Sequence, residues 1–281
     1  MLWLCYQGGK TQKWWPVVVA ISIYALVFGC RYGVGSDFFS YLEIYQSANS
    51  GYLAYNDIET GFFYLMKLLA SCDLHYAYFF GIVAFLQLYL VFRSVKPYCF
   101  LYPFLVFTFM FGAEWLKYAN GLRQVLAFCL FVFSFKFIIE RKIVLHYLCI
   151  LVACLLHRSV LLLIPVYPLL CLKKEWFSNV GIQFLLLAGS LILMNVDIVH
   201  SFLDYVEAGI EMLQYSDYMQ NQYDELIARE VNLGTGFYIM LFINVINIYF
   251  SRQVKEKYKD TLFPLIYNLY FIGICWNYLF I

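Results

Sequence analysis

Charged side chains are scarce in this sequence, since Asp, Glu, Lys and Arg together make up 13% of its 281 residues. Soluble domains carry about 25%, so the scarcity excludes an ordinary soluble globular protein. Apolar residues make up 63% of the chain and recur in long runs. The composition therefore predicts an all-α integral membrane protein, built as a polytopic helical bundle.

Paired cysteine and histidine spacings are also lacking. The nine cysteines lie mostly within or beside apolar runs, which is typical of small buried side chains and excludes a disulfide framework or a zinc-type site. No glycine-rich loop of the nucleotide-binding type is present, so use of ATP is not expected. We predict no metal ligand and no cofactor.

Nine apolar segments are candidate spanning helices: 14–30, 76–92, 98–112, 121–139, 143–157, 158–172, 180–198, 234–250 and 261–281. A full crossing needs about 20 residues, and the pair 143–157 and 158–172 is short enough to suggest a hairpin with a sunken tip. Segment 60–73 is shorter still. We predict a re-entrant or interfacial helix there.

The distribution of basic residues supports that topology. If 60–73 does not cross and the N-terminus is cytoplasmic, most lysines and arginines fall inside, as the positive-inside rule requires. Two extracytoplasmic loops follow, 31–75 and the acidic, tyrosine-rich 197–233. We predict one membrane domain over 1–281. Because the chain stops within the apolar run "YFIGICWNYLFI", we expect its C-terminus to be incomplete.

Three arginines fall on the side where basic residues are few: Arg31, Arg123 and Arg158. Each lies at the outer end of a predicted span, so the three could converge on one anion. A guanidinium suits phosphate oxygens because its planar fork donates two parallel hydrogen bonds. The alternative is that each side chain snorkels to the lipid headgroups.

Asp37, Glu59 and His157 are the candidate acid–base groups. Asp37 and Glu59 share the outer loop, where either could act as general base towards a hydroxyl group. Asp37 could instead pair with Arg31, and Glu59 could cap the helix that follows it. His157 precedes Arg158 at the predicted hairpin tip, an unusual place for a histidine, although a lone histidine is more often structural.

Four motifs in order resemble the EpsG/Wzy-type family of polysaccharide polymerases: "CRYGVGSDFFSYLEIY", "ETGFFYLMKLL", "NGLRQVLAFCLFVFS" and "LLHRSVLLLIP". The resemblance covers about residues 25–170, and beyond it only the hydropathy matches. Ser36 occupies a position where threonine is common in the family.

The resemblance implies a GT-C-like membrane glycosyltransferase that acts at the outer leaflet of the bacterial inner membrane, with its active site facing the periplasm or cell exterior. Its donor and acceptor would be undecaprenyl-diphosphate-linked glycans, polymerised for an exopolysaccharide, capsule or O-antigen without metal or nucleotide. The lipid bilayer, a chain-length regulator and a flippase of the same pathway are the other implied partners, with no nucleic acid among them.

The resemblance also implies roles for the candidate residues. Arg31, Arg123 and Arg158 would bind the departing diphosphate, whose developing charge needs fixed cations. Asp37 or Glu59 would be the base, and His157 either a base or a diphosphate donor.

Other function classes remain open at this point: an O-antigen ligase, a membrane O-acyltransferase, a lipid-linked-sugar flippase or a noncatalytic scaffold. The order of the four motifs argues against an acyltransferase. The predicted spans are nearly free of charge at mid-membrane, which favours an enzyme over a flippase.

Overall fold

The computed structural model describes residues 1–48, 58–111, 114–166, 168, 175–193, 234–259 and 263–279. Every regular element in these ranges is a helix, which confirms the all-α prediction. The chain divides into two compact units, Met1–Cys171 and Leu172–Ile281. The prediction of one membrane domain over the whole chain stays a prediction.

Among its described residues, the first unit contains nine α-helices: α1 (Leu2–Thr11), α2 (Trp15–Gly29), α3 (Phe38–Ser47), α4 (Thr60–Ala70), α5 (Tyr76–Ser94), α6 (Tyr102–Phe111), α7 (Glu114–Asn120), α8 (Leu122–Ile139) and α9 (Ile143–Leu156). Two 3₁₀ helices, Lys96–Leu101 and Arg158–Leu163, complete it within the described residues. Local sequence explains several helix starts. Pro16 lies in the first turn of α2, where its missing N–H costs nothing, and the His75 side chain caps α5 by accepting from Ala77 N.

Helices α2 and α5 pack through small residues. Gly29 approaches α5 so closely that a Cβ there would lie 2.5 Å from the Ala77 carbonyl oxygen, and one at Gly81 would lie 3.1 Å from the Ala25 carbonyl oxygen. Each helix therefore presents a small residue at two positions four apart, the spacing that lets membrane helices approach closely.

Aromatic rings fill the space where α3 and α4 meet α5. Phe38 stacks on Phe80 with 5.0 Å between ring centroids, and Tyr45 stacks on Phe79 at 5.1 Å. Phe62, on α4, packs edge-on against Phe79 at 5.9 Å. These buried rings fix α3 and α4 against the long α5.

Three helices among the described residues are long and apolar enough to cross a membrane: Tyr76–Ser94, Leu122–Ile139 and Phe237–Lys257. The bent pair Lys96–Phe111 and Glu114–Asn120 makes a fourth if it is counted as one broken span. Other predicted spans are shorter apolar helices, such as Trp15–Gly29 and Ile143–Leu156. The number nine and the GT-C-like fold therefore stay predictions.

Two predicted segments differ in kind from the long spans. Segment 60–73 contains the 11-residue helix α4, which confirms a short helix there, while its interfacial or re-entrant position stays a prediction. The second arm of the predicted hairpin, 158–172, begins as the 3₁₀ helix Arg158–Leu163 because His157 adopts an extended backbone and ends α9. Loop 197–233 lies outside the described residues.

The second unit contains α10 (Val180–Leu193), α11 (Thr235–Lys257) and α12 (Phe263–Leu279). Its core includes Leu187, Ile248 and Phe271. A polar contact set lies beside that core. Buried Lys255 pairs with Glu175 at 2.7 Å and donates to the Phe177 carbonyl, and Tyr267 donates to Gln183 Oε1 at 2.7 Å.

Candidate functional site

A buried carboxylate, Glu59, is the meeting point of three segments of the first unit. Arg123 Nη1 donates to its Oε2 at 2.7 Å. His157 Nδ1 lies 2.6 Å from its Oε1, and the backbone N–H of Arg158 donates to the same oxygen at 3.4 Å. The Glu59 residue is only 4% exposed, so the contacts are largely shielded from solvent.

The position of Arg123 explains why it needs this partner. It lies in the first turn of α8, directly after Leu122, where the positive end of the helix dipole disfavours a cation. The carboxylate of Glu59 compensates that unfavourable position. Glu59 itself occupies the N-cap position of α4, where the α4 dipole favours its negative charge.

The pKa of Glu59 reflects the same arrangement. Burial alone would raise it, but the close His157 imidazole and the charge of Arg123 outweigh burial and lower the pKa to about 2. The carboxylate is therefore ionised at any physiological pH. A carboxylate with so low a pKa is a weak base.

A glycine lets α4 approach α9 closely enough for this contact. A Cβ at Gly61 would lie 2.7 Å from both Cβ and the carbonyl oxygen of Leu155, closer than real contacts allow. Gly61 is two residues after Glu59, and Leu155 is two residues before His157. The crossing of α4 and α9 therefore fixes the distance between the Glu59 carboxylate and the His157 imidazole.

Tyr41, on α3, extends the cluster in a way that the sequence did not predict. Arg123 Nε donates to the Tyr41 hydroxyl at 3.4 Å, and Tyr41 is 5% exposed. Burial raises the pKa of Tyr41, so its hydroxyl stays protonated. The available signal was its spacing, because Tyr41 follows Asp37 by four residues and thus lies on the same face of α3.

Arg31 occupies a separate, aromatic environment. Its guanidinium carbon lies 4.0 Å from the ring centroid of Phe28 and 4.9 Å from that of Phe80, and Nη2 donates to the Ala119 carbonyl at 3.0 Å. Arg31 is 8% exposed, and within the described part of the chain its Nε and Nη1 have no hydrogen-bond partner. Burial lowers the pKa of Arg31 to about 10, so it remains a cation at neutral pH.

The two glycines after Arg31 are required by the loop that holds it. Gly33 and Gly35 have φ values of 64° and 100°, in the region that disfavours side chains. A Cβ at Gly35 would also lie 2.5 Å from Asn120 Oδ1, an oxygen that accepts from Ser36 N at 3.1 Å. The loop therefore docks on the junction of α7 and α8, three residues before Arg123.

The remaining two predicted residues are more accessible. Asp37 is half-buried at the N-cap of α3, and its Oδ1 accepts from Ser36 Oγ at 2.8 Å. The Arg158 residue is exposed, although its backbone is bound to Glu59. The structure thus brings Glu59, Arg123, His157 and the Arg158 backbone together, and it places Arg31 and Asp37 on the adjoining loop.

Over the described ranges, no group of three or more His, Cys, Asp or Glu side chains is placed to hold a metal ion. What the arrangement provides is a buried ion pair, an imidazole beside it and two further arginines near one end of the helices. Such a set of groups can bind an anion and hold a proton acceptor in a fixed orientation.

Comparison with known proteins identifies a family whose match covers the candidate site. A model of the EpsG family matches residues 14–281, a range that includes every residue of the candidate site. No curated protein and no solved structure matches the chain.

Proposed function

Because the chain belongs to the EpsG family, which is linked to exopolysaccharide biosynthesis, we propose that it is a membrane glycosyltransferase that polymerises lipid-linked repeat units. Its donor would be an undecaprenyl-diphosphate-linked oligosaccharide, and its acceptor the terminal sugar of another such unit. The reaction would take place at the outer leaflet of the bacterial inner membrane.

The observation that carries this proposal is the contact of Glu59 with Arg123 and His157. The three residues come from three of the four motifs. Arg123 and His157 follow Glu59 by 64 and 98 positions in the chain. The candidate set contains three arginines and two carboxylates, a net charge of +1 with His157 neutral. An excess of positive charge suits a substrate with a diphosphate.

The arginines would stabilise the leaving group. As the bond between the sugar and the diphosphate breaks, negative charge develops on the diphosphate oxygens, and fixed guanidinium groups bind that charge without reorganisation. The exposed Arg158 side chain is the donor best placed to bind the diphosphate. The buried Arg31, whose Nε and Nη1 have no hydrogen-bond partner among the described residues, would add its charge from the adjoining loop. Arg123, held by Glu59, would supply charge from a fixed position.

His157 would be the base. Its Nδ1 faces Glu59, which orients the ring and leaves Nε2 for the substrate. In the proposed step the acceptor hydroxyl oxygen bonds to the anomeric carbon of the donor, its proton passes to His157, and undecaprenyl diphosphate leaves with the electrons of the broken C–O bond. The low pKa of Glu59 favours a positioning role for it over the base role that the sequence suggested. Asp37 is the alternative base, because it is more accessible and lies on the adjoining loop.

Incubation of the purified full-length chain with synthetic lipid-diphosphate-linked repeat units tests the proposal. We expect a ladder of elongated glycans without added nucleotide. His157→Ala should abolish the ladder, and His157→Gln should not restore it, since glutamine cannot accept the proton.

Lys117→Ala is the matched control, because Lys117 is exposed and pairs with Glu114, one turn earlier in α7. It should leave the ladder unchanged. The proposed reaction is refuted if the wild-type chain elongates none of the lipid-linked repeat units from which its host builds polysaccharide. The proposed base is refuted if the His157→Ala variant keeps full activity.

A further inference from the structure

A cavity lined in part by polar side chains lies at the opposite end of α2 from Arg31. Its volume is about 290 Å³, and it is lined by the turn between α1 and α2, by the 3₁₀ helix Lys96–Leu101 and by Tyr102. The antiparallel packing of α2 and α5 separates the two ends, because Gly29 meets Ala77 at one end and Trp14 meets Tyr89 at the other, with ring centroids 5.9 Å apart. The cavity is therefore distinct from the Glu59 site.

The charged residues that line this cavity are both lysines. Lys13 and Lys96 line it, Lys10 ends the helix beside it, and the charge of Arg93 acts on Tyr102 in its wall. Residues 1–36 and 74–113, the two stretches of sequence that include the cavity wall, contain no Asp or Glu. An anion in the cavity would meet cations from two separate segments and no carboxylate from those segments.

The wall of the cavity also carries an unsatisfied polar group. Tyr102 lines the cavity and is 1% exposed, yet its hydroxyl has no hydrogen-bond partner among the residues that the structure describes. A buried hydroxyl without a partner is costly, so a ligand oxygen that accepts from it would remove that cost. Lys96 Nζ lies 5.9 Å from the ring centroid of Trp14, and both residues line the cavity.

The surroundings of the cavity are those of a membrane surface. Helix α1 buries Cys5 and Gly8 and exposes Trp3 and Tyr6, which are 68% and 50% accessible. Trp15, at the start of α2, is 61% exposed. Exposed tryptophan and tyrosine beside lysines are typical of the level of the lipid headgroups.

We propose that this cavity binds the phosphate of an anionic phospholipid headgroup. The lysines supply the charge, the Tyr102 hydroxyl donates to a phosphate oxygen, and the exposed aromatic side chains of α1 and α2 place the cavity mouth among the headgroups. Basic cavities between membrane helices bind anionic headgroups in this way. The site rests on residues that take no part in the proposed transfer reaction.

Native mass spectrometry of the full-length chain, titrated with phosphatidylglycerol or phosphatidylcholine in neutral detergent, tests this site. We expect the wild type to retain one phosphatidylglycerol in preference to phosphatidylcholine. The double variant Lys13→Ala/Lys96→Ala should bind it about 30-fold more weakly, the effect of losing two lysines near an anionic headgroup. Tyr102→Phe, which keeps every charge, should weaken binding about tenfold. This variant tests the site if the double variant does not fold.

The matched control is Arg252→Ala/Lys257→Ala, which removes two exposed cations from the second unit and should leave the affinity within about twofold. Equal retention of the two lipids, or unchanged affinity in both cavity variants, would overturn the proposal. Inorganic phosphate that displaces the bound lipid at equal concentration would also overturn it, since the site would then serve free phosphate.

Discussion

Glu59 is a single residue whose carboxylate connects three segments of the chain. Its carboxylate is almost fully buried, and its contacts with Arg123 and His157 are 2.7 and 2.6 Å long. Removal of one partner from a buried ion pair leaves an uncompensated charge, which costs more than the loss of an exposed pair. The stability of the first unit should therefore respond strongly to substitutions in this pair.

Arg123→Ala should lower the free energy of unfolding by about 3–5 kcal/mol, because it leaves the Glu59 carboxylate buried without its cation. Adding Glu59→Gln to that variant should recover part of the loss, since the unpaired charge is then removed. Unfolding by SDS titration of the purified protein measures both effects. Lys117→Ala, which breaks an exposed pair with Glu114, should cost about 0–1 kcal/mol. Equal losses in Arg123→Ala and Lys117→Ala would contradict a buried, coupled pair.

The pH dependence of stability follows from the pKa of Glu59. Its pKa is about 2 in the folded chain against an ordinary 4.5, so the folded state binds the proton less readily than the unfolded state. The contribution of Glu59 is complete above about pH 4.5 and is lost as the pH falls towards 2. We expect the unfolding temperature of the wild type to fall through that window by more than that of Glu59→Gln. Glu114→Gln, at an exposed carboxylate, should follow the wild type. A Glu59→Gln curve that parallels the wild type would rule out this linkage.

Among the helix contacts, the crossing of α4 and α9 determines the geometry of the candidate site. Gly61→Ala places a Cβ 2.7 Å from Leu155, so the two helices must separate and Glu59 must move away from His157. A displacement of about 1 Å can cost about 100-fold in rate, and we expect a loss of that size in glycan elongation. Gly189→Ala is the matched control, because a Cβ at Gly189 meets nothing within 4 Å. Elongation at the wild-type rate in Gly61→Ala would show that the crossing does not position the site.

The sequence predicted the helices better than it predicted their contacts. Apolar runs identified α5 and α8 nearly to the residue, and the shortness of 60–73 correctly predicted a short α4. The motifs also selected Glu59, Arg123 and His157 as candidates. Their pairing was not predictable from one sequence, because Glu59 meets side chains 64 and 98 positions away only after Gly61 has brought α4 onto α9. Tyr41 was missed for the same reason, since its contact with Arg123 is made across 82 positions of the chain.

The extended backbone at His157 is a further feature that hydropathy could not reveal. The apolar run continues through "LLHRSVLLLIP", which led to a prediction of a second spanning arm after the histidine. The structure ends α9 at Leu156 and continues as a short 3₁₀ helix. Contacts of His157 and the Arg158 backbone with Glu59 replace the helix continuation there.

At the scale of the whole molecule, the two ends of the first unit differ in chemistry. The end with Glu59 and Arg123 lies with the loop that carries Ser36, whereas Thr11 lies at the basic end, between Lys10 and Lys13. The positive-inside rule predicts that the basic end faces the cytoplasm. Single cysteines at Ser36 and Thr11, both exposed, should therefore label from opposite sides in a cysteine-free chain. A membrane-impermeant maleimide should reach Ser36→Cys in intact cells and Thr11→Cys only after lysis; the reverse pattern would invert the proposed topology.

The most direct measurement of the central claim, that the cluster around Glu59 transfers sugars from a lipid diphosphate, is the ratio of undecaprenyl diphosphate released to glycosidic bonds formed by the reconstituted protein. We predict one released lipid diphosphate for each new bond in the wild type, and neither product in Arg123→Ala protein that remains inserted and folded. Bond formation by that variant at the wild-type rate, or glycan elongation without release of the lipid diphosphate, would contradict the claim.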